Sequence, residues 1–262
     1  MRLITIGFSH YCEKARWALD RMGVEYTEDS HAPLAHYPAA WRASGQRTVP
    51  VLVTEDGVFA DSTDILKYVD PFLPEAARLF PEEDNARREV SDLEQLVDRE
   101  IGPRVRRWVY SWLLDEPAIV NPLVERAMTR AERRMSSVLM PIVIAGIKRG
   151  LKISPDLRES QFEKIKATFL SLAPRLAGKK YLAGDSFSAA DLTLAALCAP
   201  ALGVENHPIL HPDPDSLPAR MREQAEELRA TPVGAHVLEL YRSERKKTYP
   251  RASLTRGRQE QP

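Results

Sequence analysis

Between positions 9 and 12 the chain sets a hydroxyl, an imidazole, a phenol and a thiol in direct succession: Ser9, His10, Tyr11, Cys12. Such groups act as nucleophiles, proton carriers or hydrogen-bond donors according to their surroundings. Here Leu3-Ile4-Thr5-Ile6 ahead of them reads as a short apolar strand. Ala15, Ala18, Leu19 and Met22 behind them are spaced for one buried helix face, and Gly23 ends that helix. Polar groups at a helix start sit where unpaired N–H groups and the macrodipole favour negative charge. That is a place suited to a thiolate, whether the protein's own or a ligand's.

Three further motifs carry chemistry or punctuation. Val49-Pro50 interrupts a β-branched strand over 48–53, and a proline cannot donate to a ladder, so it belongs at a strand start, an edge or a special turn. Asp61-Ser62-Thr63-Asp64 is N-cap chemistry for a helix over 65–69, and the N–H groups of such a terminus can also receive a carboxylate. Ser188-Ala189-Ala190-Asp191 is a capping box before an almost wholly apolar helix over 189–197, and its role is structural.

The elements that position these groups follow from periodicity. The opening 75 residues read β-α-β-loop-β-β-α. A second strand covers 24–28, one helical turn lies around 39–43, and the Glu55-Asp56-Gly57 hairpin returns in a strand over 58–60. Pro71, Pro74 and Pro81 punctuate a linker, and only helices follow from Asn85. The first helix runs through Val90, Leu93, Val97, Trp108 and Trp112 with a kink at Gly102-Pro103. A second covers 123–147, bent or broken at Pro141, and a third covers 155–176. Helices over 221–229 and 233–245 close the chain.

Composition narrows the field. With 37 basic and 37 acidic residues the formal charge is zero, so nothing global draws the chain to nucleic acid or an anionic membrane. Cys12 and Cys198 are the two cysteines, which excludes a disulfide framework, and neither is spaced with metal ligands, so no metal is expected. The first residues lack the regions of a secretory leader, and the apolar run over 138–147 is half the roughly 20 residues a bilayer needs. A cytoplasmic protein with no membrane span and no nucleic-acid partner is expected.

The strand–turn–helix with Ser9 to Arg16, the Val49-Pro50 step, the Asp61-Ser62 pair and the Gly184–Leu192 stretch, in this order, resemble the cytosolic glutathione transferase family. The resemblance implies an α/β thioredoxin-like domain over 1–75 that binds glutathione. An all-α helical domain over 85–250 would complete an electrophile site, followed by a flexible tail over 251–262. It implies a cis Val49–Pro50 bond, with Val49 aligning the cysteinyl backbone of glutathione. Asp61 and Ser62 would hold the γ-glutamyl end, and Gln46 and Arg47 the glycyl carboxylate. Ser9 falls where serine-type classes carry their serine and cysteine-type classes their cysteine, so it is the expected hydroxyl donor to the sulfur. Tyr11 stands in reserve. Cys12 lies three residues on, at the resolving-cysteine position. Phe8, His10, Trp108, Tyr110 and Trp112 are the candidate walls of the electrophile site, and the long stretch over 113–154 could enlarge or cover it. The implied activity is transfer of the glutathione thiolate to a hydrophobic electrophile by a homodimeric detoxification enzyme, with glutathione as co-substrate. Two alternatives stand beside it: a non-catalytic glutathione-binding scaffold, and a glutathione-dependent thiol reductase using Cys12.

Overall fold

A computed structural model describes residues 1–134, 136–209 and 212–249, the side chains of 136–139 excepted. The tail expected over 251–262 lies outside the described residues.

Strand β1 (Arg2–Thr5) enters helix α1 (His10–Met22), which returns the chain to β2 (Thr27–Ser30), parallel to β1. The expected second strand over 24–28 begins three residues later than the sequence suggests. Gly23 caps α1 in the left-handed region (φ 65°), and Val24 to Tyr26 are spent running back along the helix, where the Tyr26 hydroxyl donates to Asp20. Helix α2 (Tyr37–Ser44) precedes β3 (Val51–Val53), which pairs antiparallel with β1; β4 (Val58–Phe59) pairs antiparallel with β3. The sheet order is β2-β1-β3-β4, and α3 (Ser62–Val69) packs with α1 against it.

Register brings the chemistry together. Ile4 of β1 faces Val51, and Leu52 faces Phe59. The turn after β1, the approach to β3 through Val49–Pro50, and the β4–α3 connection at Asp61 therefore all emerge at one end of the sheet. The Val49–Pro50 peptide bond is cis.

The remaining described chain is helical. Helices α4 (Asp84–Glu100) and α5 (Gly102–Leu113) meet at Ile101, where Ile101 N–H reaches the Val97 carbonyl (2.8 Å) and Val105 N–H reaches the Ile101 carbonyl (2.9 Å). Gly102-Pro103 thus redirects the rod without opening its hydrogen-bond path, because proline at a second helical position removes a donor that has no partner there. The second long helix divides into α6 (Pro117–Ala127), α7 (Arg130–Arg134) and α8 (Ser136–Leu151). Its break falls at Met128-Thr129 rather than at Pro141, because Thr129 and Glu132 form a reciprocal cap. Thr129 N–H donates to the Glu132 carboxylate (2.9 Å) and Glu132 N–H to the Thr129 hydroxyl (3.2 Å). Helices α9 (Leu157–Leu172), α10 (Ala189–Leu202), α11 (Ala219–Arg229) and α12 (Pro232–Ser243) complete the bundle.

α10 is the axis on which the fold turns. All but one of its fourteen residues are buried, and it packs against α1 on one side and α4, α5 and α12 on the others. Its cap is built on Asp191, fully buried, which accepts from the Ser188 N–H (3.1 Å), the Ser188 hydroxyl (2.8 Å) and the Leu182 N–H (2.9 Å). Among the described residues no helix is long and apolar enough to cross a membrane.

Candidate functional site

Arg16 shapes the turn that carries Ser9. Its guanidinium donates to the Gly7 carbonyl (2.6 Å) and to Glu28 on β2 (2.8 Å), while the Ser9 N–H reaches back to Ile6 (3.0 Å). Gly7 is closely approached, since a Cβ there would lie 3.2 Å from the Ala127 Cβ and 3.3 Å from the Ser30 hydroxyl. Ser9 is the N-cap of α1 in extended backbone conformation, half-buried, and its hydroxyl caps no backbone N–H of the helix.

The three other groups of the turn face inward. Cys12 is fully buried, and burial pushes its thiol up; Arg16 and hydrogen bonds from Ile6 and Ser9 pull less strongly the other way. A thiol so raised stays protonated at neutral pH. The Ser9 hydroxyl is one of the donors that favour its ionised form, outweighed here by burial. Tyr11 gives its hydroxyl to the Asp98 carbonyl of α4 (3.2 Å), and burial, then Asp98, raise it. His10 Nε2 bonds the Gly102 carbonyl (3.1 Å), and burial followed by the nearby Arg106 charge lowers its pKa to about 3. The imidazole is therefore neutral, with Nε2–H donating.

Opposite the turn, Asp61 caps α3 by accepting from Thr63 N–H (2.8 Å) and Asp64 N–H (3.3 Å). Asp61 is exposed and close enough to Tyr11 to contribute to its shift, whereas Ser62 is buried. Val49 is half-buried, and among the described residues neither its N–H nor its C=O has a backbone partner. Pro50 is buried behind it, and Gln46 and Arg47 are exposed, the Arg47 guanidinium lying over the rings of Tyr37 (5.7 Å) and Trp41 (6.0 Å). An open groove of about 730 Å³ runs past Ser44, Gln46, Asp61, Asp64 and Tyr68.

A network that the sequence did not announce holds this end of α3. Lys14 of α1 is fully buried, and its ammonium donates to the Thr63 hydroxyl (2.9 Å), to Glu94 (2.5 Å) and to Asp98 (2.9 Å) of α4; Thr63 also donates to Glu94 (2.7 Å). Burial raises the Asp98 carboxyl, with the Lys14 charge opposing. The residue next to Ser62 is thus tied to both the first helix and the helical region.

On the other side of the turn lies an apolar cavity of about 100 Å³. Phe8 and His10 form its floor, α5 supplies Arg106, Val109, Tyr110 and Leu113, and α6 and α8 close it with Val120, Val124, Met140, Val143 and Ile144 among others. Trp108 and Trp112 of the same α5 do not line it. Trp108 is fully buried and donates to Gln224 of α11 (2.9 Å), and Trp112 lies under the Arg158 guanidinium (4.4 Å). The α6–α8 cover is fastened to the sheet domain. Glu132 accepts from Ala32 N–H (3.3 Å) and meets His31 Nδ1 (2.9 Å), and Ser30 donates to the Ala127 carbonyl (3.3 Å). Among the described residues no group of three or more His, Cys, Asp or Glu side chains could hold a metal ion.

A thioredoxin-like sheet domain followed by a helical bundle, with a capped turn at the domain boundary, defines the class. Models of the glutathione S-transferase N-terminal and C-terminal domains match residues 3–72 and 134–230. The chain belongs to the glutathione transferase family. No curated protein matches its sequence. Among solved structures, a glutathione S-transferase from Xanthobacter autotrophicus Py2 is similar at 17% identity and TM-score 0.59, over 92% of each chain. One from Pseudomonas fluorescens Pf-5 stands at 16% and 0.57, over 93% of this chain and 96% of that one. The β-etherase LigF from Sphingobium sp. strain SYK-6 stands at 17% and 0.57, over 91% and 98%. These likenesses concern the fold.

Proposed function

We propose that the chain is a glutathione transferase of the serine type, which binds glutathione across the β1–α1 turn and directs its sulfur at an apolar electrophile. The observation that carries this is the contrast within the turn. Cys12 is sealed at 0% exposure with a raised thiol, while Ser9 keeps a half-buried hydroxyl at the helix start with no capping bond. Disulfide exchange needs an accessible thiolate, so the reductase reading loses its nucleophile.

The residues fit the tripeptide. Val49 offers an unpaired N–H and C=O as an extended edge, suited to pairing with a peptide backbone. Asp61 and Ser62 stand at the start of α3, where a carboxylate and an ammonium find complementary charge. Gln46 and Arg47 lie on the exposed loop before Pro50, within the domain that would receive the glycyl end. Bound glutathione supplies the thiol, and the chain's part is to favour its ionised form by donating the Ser9 hydroxyl and by the field of the α1 terminus. Phe8, His10 and Tyr110 provide the walls beside it, and Tyr11, with its hydroxyl spent on Asp98, supports the turn.

The same proposal takes 1–75 as the glutathione-binding domain, 85–250 as the domain completing the electrophile site, and a cytoplasmic homodimer active in detoxification as the working form; sedimentation tests the dimer. Ser9→Ala tests the chemistry. Calorimetric affinity for glutathione is expected to change less than threefold, while kcat/KM with 1-chloro-2,4-dinitrobenzene falls about 10–100-fold, the range for losing a charge-assisted hydrogen bond. Glutathione binding without turnover of a panel of electrophiles would instead establish the scaffold.

A further inference from the structure

Helix α5 turns a stripe of four residues to the cavity, spaced i, i+3, i+4 and i+7: Arg106, Val109, Tyr110 and Leu113. Three of them suit an apolar wall. The fourth is a guanidinium. Its Nε is buried without a hydrogen-bond partner, and among the described residues no carboxylate lies within 4.0 Å of it. Arg16 and Arg245, more deeply enclosed, are paired with Glu28 and Glu13, whereas Arg106 is half-buried and only its Nε is sealed off. Among the described residues the titratable groups sharing the cavity with Arg106 are His10 and His207, both lowered by burial and neutral, and the Tyr110 phenol raised by burial, with the Tyr11 ring at 5.9 Å, and none of them supplies a negative charge at neutral pH.

A guanidinium set among apolar side chains with no carboxylate partner of its own leaves its N–H donors available to an anion that enters the cavity. We propose that Arg106 is an anion-recognition residue of this cavity, and that the ligand it receives is a small apolar organic acid, its ring or chain against α6 and α8 and its carboxylate on the guanidinium. A planar guanidinium accommodates a carboxylate through two parallel N–H donors, which an ammonium does not. Inorganic anions lack the apolar body the other walls select. The volume of about 100 Å³ is below the roughly 150 Å³ of an engineered apolar cavity that accepts benzene, so the ligand is at most one ring and enters with an outward shift of the α6–α8 cover. The inference rests on the reading that this cavity takes the second substrate, and adds that this substrate is an acid.

Benzoate and benzamide share shape and differ in charge, so the test is calorimetric binding of both to the full chain and to Arg106→Gln and Arg106→Lys, with and without saturating glutathione. Wild type is expected to bind benzoate about tenfold or more tightly than benzamide. Arg106→Gln erases that ratio while benzamide stays within twofold, and Arg106→Lys keeps part of it. Equal affinities in wild type, no benzoate binding, or a preference that survives in Arg106→Gln each overturn the assignment. Wild-type benzamide binding serves as the folding control, together with unchanged melting curves. Carboxylate preference in a chain that binds no glutathione upholds Arg106 and removes the transferase reading; glutathione binding with no carboxylate preference does the reverse.

Discussion

Replacing Lys14 by methionine tests the contact between the two domains where it is most heavily committed. The Lys14 ammonium is fully buried and meets Glu94, itself 1% exposed, together with Thr63 and the partly exposed Asp98. The attraction within such a pair does little more than offset its desolvation. Taking away one partner is different, because it strands the other charge, at a cost of about 3–5 kcal/mol. Two features reduce the penalty here. Thr63 still donates to Glu94 (2.7 Å), and the methionine preserves the aliphatic packing of the lysine stem. A loss of about 3 kcal/mol is expected, a large part of a total stability on the order of 5–15 kcal/mol.

Urea unfolding at constant m-value reads that loss directly. Lys14→Met combined with Glu94→Gln removes the stranded charge and should recover about 1–2 kcal/mol of it. Because Thr63 neighbours Ser62, glutathione affinity should fall several-fold in Lys14→Met. A single variant within about 1 kcal/mol of wild type, or a double variant losing the sum of both single changes, would refute the reasoning.

Three other outcomes follow from the same turn. Cys12, fully buried with a raised thiol, should resist iodoacetamide in the native protein and react only on unfolding, and Cys12→Ala should keep kcat within twofold. His10 titrates near 6.5 when unfolded and about 3 when folded, so acid favours unfolding; its contribution is whole above about pH 6.5 and is lost as pH falls toward 3. His10→Gln should flatten that part of the stability–pH curve, measured by melting across the range. In Gly102→Ala the new Cβ would lie 2.2 Å from the Tyr11 hydroxyl, costing about 1–3 kcal/mol, and a Tyr11→Phe change in that background should return part of it.

What the sequence disclosed was local. Strand–turn–helix, the proline step and the two helix caps depend on residues within four positions of one another, and the fold class followed from them. The Lys14 network joins partners 49, 80 and 84 positions apart, and a lysine on an amphipathic helix reads as a solvated charge until its neighbours are known. The aromatic residues of α5 show the same boundary. Periodicity placed Trp108 on a buried face and could not tell the face packed on α11 from the face turned to the cavity, which Tyr110 occupies instead. The Thr129–Glu132 cap was legible as a Thr-x-x-Glu pattern, and would have put the break in the long helical stretch where it falls.

The turn is where the two halves of the chemistry are forced into register. Ser9 starts α1 at the end of the sheet where Val49 and α3 emerge, whereas Phe8 and His10 on either side of it form the floor of the cavity. Adjacent residues thus address the two compartments, so any ligand in one lies within a few residues of any ligand in the other. The floor is held by Arg16 and the α5 wall by the α10 core, while the α6–α8 cover rests on its apolar packing, on polar ties through Ser30, His31 and Glu132, and on the exposed Lys148–Asp115 ion pair. Room for a second substrate must therefore be made at the cover, the least committed of the three walls, while the geometry between the Ser9 hydroxyl and Arg106 stays with the rigid ones.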